Sequence, residues 1–292
     1  MDTQAINGKA MIVQLSLSAW QGRKLDKAAS RQVTDTHGAE RDTARVHKDL
    51  VDSAEIKTIT KIDGAIRTYH YQVTLPWDDT GSRILPTTMY FDFCQETAKL
   101  LEQRQAAIDG FLQKYNQMKL DAYRRLGTLY NPREYPDVQA IAQKFNHSIR
   151  FLPLPSAGDI RLDLPDGEVD RIRAEVQAST QAMLAGGMSD LWERLRSVVG
   201  AMVDRLGTPD AIFRDSLIGN VRELCDLLPK LNLTGDPALE AARVEVQSQL
   251  ASLDPGVLRE NKRERQSAAQ KAQAIMDRMS GAMGVAYGEV AA

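Results

Sequence analysis

The sequence predicts a mainly α-helical chain with a small mixed or antiparallel β-sheet, one long central helix and a C-terminal helical bundle. Three observations lead there. Between Thr88 and Leu126 there is no proline, and Gly110 is the only glycine, while apolar residues recur at three- and four-residue steps. Aromatic residues are only 6% of the chain, and Ala, Leu, Gln and Arg are plentiful, a balance that suits helices packed on helices. Short stretches that alternate apolar and polar residues punctuate the first half of the chain, and they supply a few strands rather than a large sheet.

Residues Ala10 to Trp20 read as a half-buried strand, with Val13, Leu15, Leu17 and Ala19 on one side and Gln14, Ser16 and Ser18 on the other. It runs into Gly22 and a basic segment. Residues 39–62 are charge-rich with a thin apolar stripe of Val46, Leu50 and Ile56 to Ile59, which predicts a helix interrupted at Gly64. Tyr69, Tyr71, Val73 and Leu75 alternate as a second strand. Asp78 to Ser82 form a turn, and Arg83-Ile84-Leu85 completes a hairpin.

The long helix follows, from about Thr88 to Leu126, carrying Phe93, Leu100, Leu101, Ile108, Phe111, Leu112, Tyr115, Met118 and Ala122. At the standard rise its roughly 38 residues span about 57 Å. Such a helix must pack its stripe on other helices or on another subunit. Pro136 opens a short helix to Phe145. Ile149, Phe151 and Leu152 predict a strand, and Ile160, Leu162 and Leu164 another, with Gly158-Asp159 turning between them.

Helices fill the remainder: Gly167 to Ala185, ending at Gly186-Gly187; a stripe from Leu191 to Leu206, ended by Gly207; Asp210 to Leu228; Ala238 to Leu253; and a charged helix from Arg259 to Met279. This divides the chain into a mixed α+β module over 1–186, a helical bundle over 187–280 and a mobile tail over 281–292.

Composition excludes several classes. The hydrophobic fraction of 43% is enough to bury a core, and 37 basic against 39 acidic residues exclude a uniformly basic polyanion binder. No run of about 18 apolar residues offers a membrane span. Met1 to Gln14 lacks the charged and apolar regions of a secretory signal, so a cytoplasmic location is expected. Cys94 and Cys225 make neither a zinc spacing nor a Cys-x-x-Cys pair and are expected as buried thiols. There is no Gly-x-Ser-x-Gly elbow and no Walker signature, so no cofactor and no catalytic residue is assigned. Asp35, His37, Glu40 and Asp42 are the only local metal-type cluster, and their acids fit helix-start charges better than ligands. A metal-dependent or hydrolytic enzyme would need His37 or His147 to meet carboxylates in a cleft.

Basic residues beside aromatics give the stronger lead. Trp20 precedes Arg23, Lys24, Lys27 and Arg31. Arg124, Arg125 and Arg133 lie near Tyr123 and Tyr130. A third cluster is Arg259, Lys262, Arg263 and Arg265, partly cancelled by Glu260 and Glu264. Cations that neutralise phosphates and rings that stack on bases are what single-strand binding requires. The first two clusters are therefore the expected nucleic-acid-binding residues.

The stretch Leu15-Ser16-Leu17-Ser18-Ala19-Trp20-Gln21-Gly22-Arg23-Lys24-Leu25 resembles an uncharacterised phage and plasmid family. The Leu85-Pro86 pair, the long helix and Phe111-Leu112-x-x-Tyr115 follow the same layout, over roughly the first 130 residues. Gly22 and the Tyr135–Leu164 segment depart from it. The resemblance implies a mobile-element origin, and with it the cytoplasm of a bacterial host cell, and it assigns no activity.

Together these readings predict a non-enzymatic, self-assembling phage or plasmid protein that binds nucleic acid, by single-strand binding or annealing in DNA metabolism. Its expected partners are single-stranded nucleic acid and further copies of itself, with no membrane. The alternative is a helical assembly or adaptor protein that engages a protein partner such as an ATPase.

Overall fold

The computed structural model describes residues 6, 8–208 and 211–287. In chain order the elements are β1 (Ala10–Leu17), β2 (Arg23–Leu25), α1 (Lys27–Thr36), β3 (His47–Asp49), α2 (Ser53–Gln72), β4 (Leu75–Pro76), β5 (Arg83–Pro86), α3 (Tyr90–Leu126), α4 (Val138–Ala142), β6 (His147–Pro153), α5 (Asp166–Gly207), α6 (Ser216–Leu231), α7 (Pro237–Val246), α8 (Pro255–Glu260) and α9 (Lys262–Tyr287). The chain is mainly helical, as expected, with a four-stranded sheet in the order β4-β5-β1-β6 and a separate β2-β3 ribbon. It divides into two compact units: residues 1–14, 71–91 and 150–292, and residues 15–70 and 92–149. No helix among the described residues is long and apolar enough to cross a membrane.

In the first unit β1 pairs antiparallel with β5, Ile12 opposite Ile84, and β5 pairs with β4 as the expected hairpin. Asp78 shapes the turn by accepting from the amides of Thr80 and Ser82 at 2.9 and 3.0 Å. The helical core is built on α5, whose Leu191, Leu195, Val199, Met202 and Leu206 are buried at three- and four-residue steps. Ile218, Val221, Cys225, Leu228 and Leu231 of α6 and Ala268, Ala272, Ile275 and Met279 of α9 complete it. Trp192, fully buried, donates its indole N–H to Asp236 at 3.0 Å. That carboxylate also caps α7 through the amides of Ala238 and Leu239.

Several sequence expectations are corrected in this unit. Gly186 and Gly187 do not end a helix: α5 runs unbroken for 42 residues, and the boundary expected near residue 186 lies inside it. Gly187 serves close approach instead. A Cβ there would sit 3.3 Å from Leu75 Cβ and 3.4 Å from the Pro76 carbonyl oxygen. Residues 160–164 form no strand, because Ile160 follows a single 3-10 turn and Leu162 and Leu164 are exposed. Helix α6 starts at Ser216 rather than near Asp210, which lies outside the described residues, and it carries Pro229 internally. The last charged helix is split at Asn261, whose side chain accepts from the Arg263 and Glu264 amides to start α9. Where a tail was expected, α9 continues through Gly281 to Tyr287, and residues 288–292 lie outside the described residues.

The second unit is built on the long helix. Phe93, Thr97, Arg104, Ile108, Phe111, Tyr115 and Ala122 of α3 are buried, one contiguous face at helical spacing. Val51, Ile56, Ile59, Ile141 and Phe145 pack with Ile108, Phe111 and Tyr115. The stripe thus serves this chain's own core. Arg104 sits on the buried face because Asp63 of α2 meets its guanidinium at 2.6 Å, with both side chains no more than 3% exposed. It also donates to the Ser18 carbonyl at 2.6 Å. An arginine enters a core only when paired in this way.

Here too the local expectations shift. Residues 39–62 hold no single helix: residues 37–46 are irregular, β3 follows, and α2 starts at Ser53. Gly64 lies inside α2 without breaking it, and the tyrosines expected on a strand continue that helix to Gln72. Gly22, at φ +64°, lets the chain turn tightly into β2. A Cβ there would collide with Ile56 Cδ1 and touch Val51 Cγ2 at 3.2 Å.

Candidate nucleic-acid interface

The β2-β3 ribbon comes from two three-residue segments rich in charge, RKL and HKD, paired with Arg23 opposite Asp49 and Lys24 opposite Lys48. Strands this short do not stand alone in water. Lys48 anchors them. Its side chain is 6% exposed, and its Nζ lies 2.9 Å from both Asp26 Oδ2 and Glu134 Oε2. It also donates to the Leu129 carbonyl at 2.8 Å. Desolvation opposes the Lys48 charge, but the hydrogen bonds to Glu134 and Asp26 outweigh it and hold the ammonium pKa above its usual value. Asp26 is held below the usual aspartate value, first by the Ala29 amide and then by Lys48. That amide contact is also the N-cap of α1.

Further bonds tie the same region to the end of α3. Tyr135 Oη donates to the Leu50 carbonyl at 2.8 Å, and Tyr115 Oη donates to the Pro136 carbonyl at 3.0 Å. Burial, with Tyr135, Tyr130 and Asp137 nearby, pushes the Tyr115 phenol up to about 12. Both tyrosines therefore stay protonated donors at neutral pH.

Asp49 is where two sequence-distant basic clusters meet. Arg23 Nε contacts its carboxylate at 3.0 Å, and Arg125 donates to its carbonyl at 2.7 Å. Arg124 is exposed and paired with Asp121 at 2.8 Å. Lys24 and Arg133 are exposed, and neither has an ion-pair partner among the described residues. Beside them Tyr123, 65% exposed, meets Tyr130 edge-on at 5.3 Å, and Tyr130 meets Tyr135 at 5.2 Å.

Trp20 is placed differently from the expectation. It is half-buried, with its ring 5.9 Å from Phe111 and 5.8 Å from Tyr115. It belongs to the core, and Tyr123 is the exposed ring near the cations.

Lys27 and Arg31, one turn apart on α1, face a cavity of about 440 Å³ that Arg41, Asp42 and Arg45 also line. Arg41 and Arg45 were not expected there. They fall in the 39–62 stretch whose charge and apolar stripe predict a helix, and the structure makes that part of it irregular. Asp42 is the chain's one described non-glycine residue with positive φ, +67°. None of the four cations is ion-paired among the described residues. The Asp35, His37, Glu40 and Asp42 group does not converge: among the described residues no three His, Cys, Asp or Glu side chains come together to hold a metal.

In the third basic cluster Arg259 and Arg265 are structural, while Lys262 and Arg263 are exposed. Arg259 pairs with Asp215 and covers the Phe213 ring at 5.5 Å. Arg265 donates to the carbonyls of Arg205, Leu206, Thr208 and Ala211. Cys225 is buried and its thiol is pushed up to about 11 by burial, which makes it inert at neutral pH, whereas Cys94 is half-buried.

No family model, no curated protein and no solved structure matches this chain.

Proposed function

We propose that this chain is a non-enzymatic phage or plasmid protein of the bacterial cytoplasm that self-assembles and binds single-stranded nucleic acid, by coating or annealing strands in DNA metabolism. The observation that carries the reading is the junction at Asp49. It gathers Arg23 and Arg125 from distant parts of the sequence into the unit that exposes Lys24, Arg124, Arg133 and the Tyr123 ring. Exposed cations release counterions when phosphates replace them, and an exposed tyrosine offers a stacking face that tolerates any base. The exposed pairs Arg23–Asp49 and Arg124–Asp121 contribute little to stability. Phosphate can therefore compete with these carboxylates for the guanidinium groups. The mobile-element origin rests on the resemblance at Trp20-x-x-Arg23-Lys24.

Fluorescence anisotropy with a labelled single-stranded oligonucleotide at low and moderate salt tests the reading. Binding at micromolar protein or below, weakening as salt rises, is expected. No binding at micromolar protein sinks it.

A second reading draws on Leu120 and Tyr123, 63% and 65% exposed and three residues apart on α3. An apolar pair on one helix face suits a protein partner, such as an ATPase engaged by an adaptor, or a second copy. Mass photometry with and without the oligonucleotide separates the two readings. A species that grows only with the strand favours nucleic acid, and assembly indifferent to it favours protein contacts.

A further inference from the structure

We propose that the cavity between α1 and residues 37–46 is a binding site for a terminal phosphate, carried by the end of a nucleic-acid strand or by a free nucleotide. The lining holds Lys27, Arg31, Arg41 and Arg45 against the single carboxylate of Asp42, an excess of three positive charges. An internal phosphodiester carries one negative charge. A terminal phosphate carries about 1.5 to 2 at neutral pH, and an oligophosphate more. The charge excess therefore matches an end group better than a strand passing through. The volume, about 440 Å³, lies in the range of small-ligand sites, roughly 300–1,000 Å³, which fits one nucleotide rather than a track of several.

The site is held in shape before any ligand arrives. Ser30 Oγ accepts from the Val46 amide at 3.0 Å, and the Asp26 amide donates to the Val46 carbonyl at 2.9 Å. The Ala39 amide donates to the Thr34 carbonyl at 2.9 Å. These bonds close residues 37–46 against α1, so its Lys27 and Arg31 and the two arginines of the loop address one space. The first amides of α1 are already occupied by Asp26, so side chains must do the binding. Three of the four cations are arginines, whose planar forks hold phosphate oxygens in pairs.

For a strand end this rests on the nucleic-acid reading; for a free nucleotide it does not. The experiment uses the full chain in two arms. Calorimetry measures tripolyphosphate binding. Anisotropy compares two 3′-labelled single strands of one sequence, ending in a 5′-phosphate or a 5′-hydroxyl. We expect tripolyphosphate to bind, the 5′-phosphate strand to bind about fivefold or more tightly than its partner, and both effects to vanish in the R31Q/R45Q variant. Asp42→Asn guards against misfolding as the cause of loss. Asparagine accepts the left-handed backbone there, and removing the only acid should tighten tripolyphosphate binding about threefold.

The site is overturned if wild type shows neither tripolyphosphate binding nor an end preference, if R31Q/R45Q keeps either effect, or if Asp42→Asn leaves affinity unchanged. Tripolyphosphate binding without strand binding supports the site, with a free nucleotide as ligand, and overturns the nucleic-acid reading. Equal binding of both strands without tripolyphosphate overturns the site and leaves that reading standing.

Discussion

Lys48→Met tests whether the buried lysine holds the β2-β3 ribbon in place. The substitution keeps most of the apolar stem and removes the ammonium that lies 2.9 Å from Asp26 and 2.9 Å from Glu134. It also deletes the 2.8 Å bond to the Leu129 carbonyl. Two carboxylates, 12% and 14% exposed, are left facing each other without a cation. Removing one partner of a buried ion pair costs about 3–5 kcal/mol, and the residual exposure of these acids argues for the lower end, about 3 kcal/mol. For a chain of this size that lowers the melting temperature by roughly 6–12 °C.

Thermal unfolding followed by circular dichroism measures the shift, and amide hydrogen exchange locates it, with loss of protection expected over residues 23–49. Combining Lys48→Met with Asp26→Asn and Glu134→Gln removes the stranded charges while asparagine still caps α1, so most of the stability should return. A shift under about 2 °C for the single variant, or a triple variant no better than the single, refutes the reasoning.

Arg104→Met should cost about 3–5 kcal/mol, read from the urea midpoint, because it strands the buried Asp63 carboxylate and the Ser18 carbonyl; adding Asp63→Asn should recover part of it. Gly186→Ala should stabilise α5 by about 0.5–1 kcal/mol, since nothing lies within 4 Å of its added Cβ. Gly187→Val should instead destabilise by about 1–3 kcal/mol as it overpacks against Leu75, Pro76 and Ile84; thermal melts of the pair check both signs. The Lys48 triad sets two pH limits. Asp26 is depressed on folding, so its contribution is present above the ordinary 3.8 and is lost as pH falls through the lower folded value. Lys48 is raised, so its contribution is full below 10.5 and is lost as pH rises through the higher folded value. Hydrogen-exchange protection of residues 23–49 should therefore fall only toward those extremes, and a step near pH 6–7 would contradict the assignment.

Elements with strong periodicity were legible in the sequence. The stripe from Phe93 to Ala122 reports a face that really is buried, and its expected start at Thr88 differs from Tyr90 by two residues. The hairpin around Asp78–Ser82 was equally visible through its turn residues. Failures came where tertiary packing overrode local signals. The Tyr69–Leu75 alternation mimicked one strand, but its residues up to Gln72 continue α2 and only Leu75 lies in a strand, β4. Gly186-Gly187 mimicked a stop, yet the helix runs on, with Gly187 packed close against Leu75 and the Pro76 carbonyl of β4.

The candidate site was partly legible for the same reason. Cationic clusters can be counted in a sequence, but which cations share a surface depends on contacts such as Arg125 to Asp49, 76 residues apart. Lys48 gave no signal, because a lysine in an irregular, charged segment looks like surface. Trp20 signalled stacking by its basic neighbours, while its ring was needed between Phe111 and Tyr115.

The most direct test of the central claim is the affinity of the full chain for a labelled single-stranded oligonucleotide, measured by anisotropy across a salt series for wild type and for the R23Q/K24Q/R125Q/R133Q variant. Binding at micromolar protein or below is expected, with log affinity falling linearly against log salt, and a slope reduced by about 0.7 for each phosphate contact removed. No binding by the wild type, or a variant with the same affinity and the same slope, would contradict it.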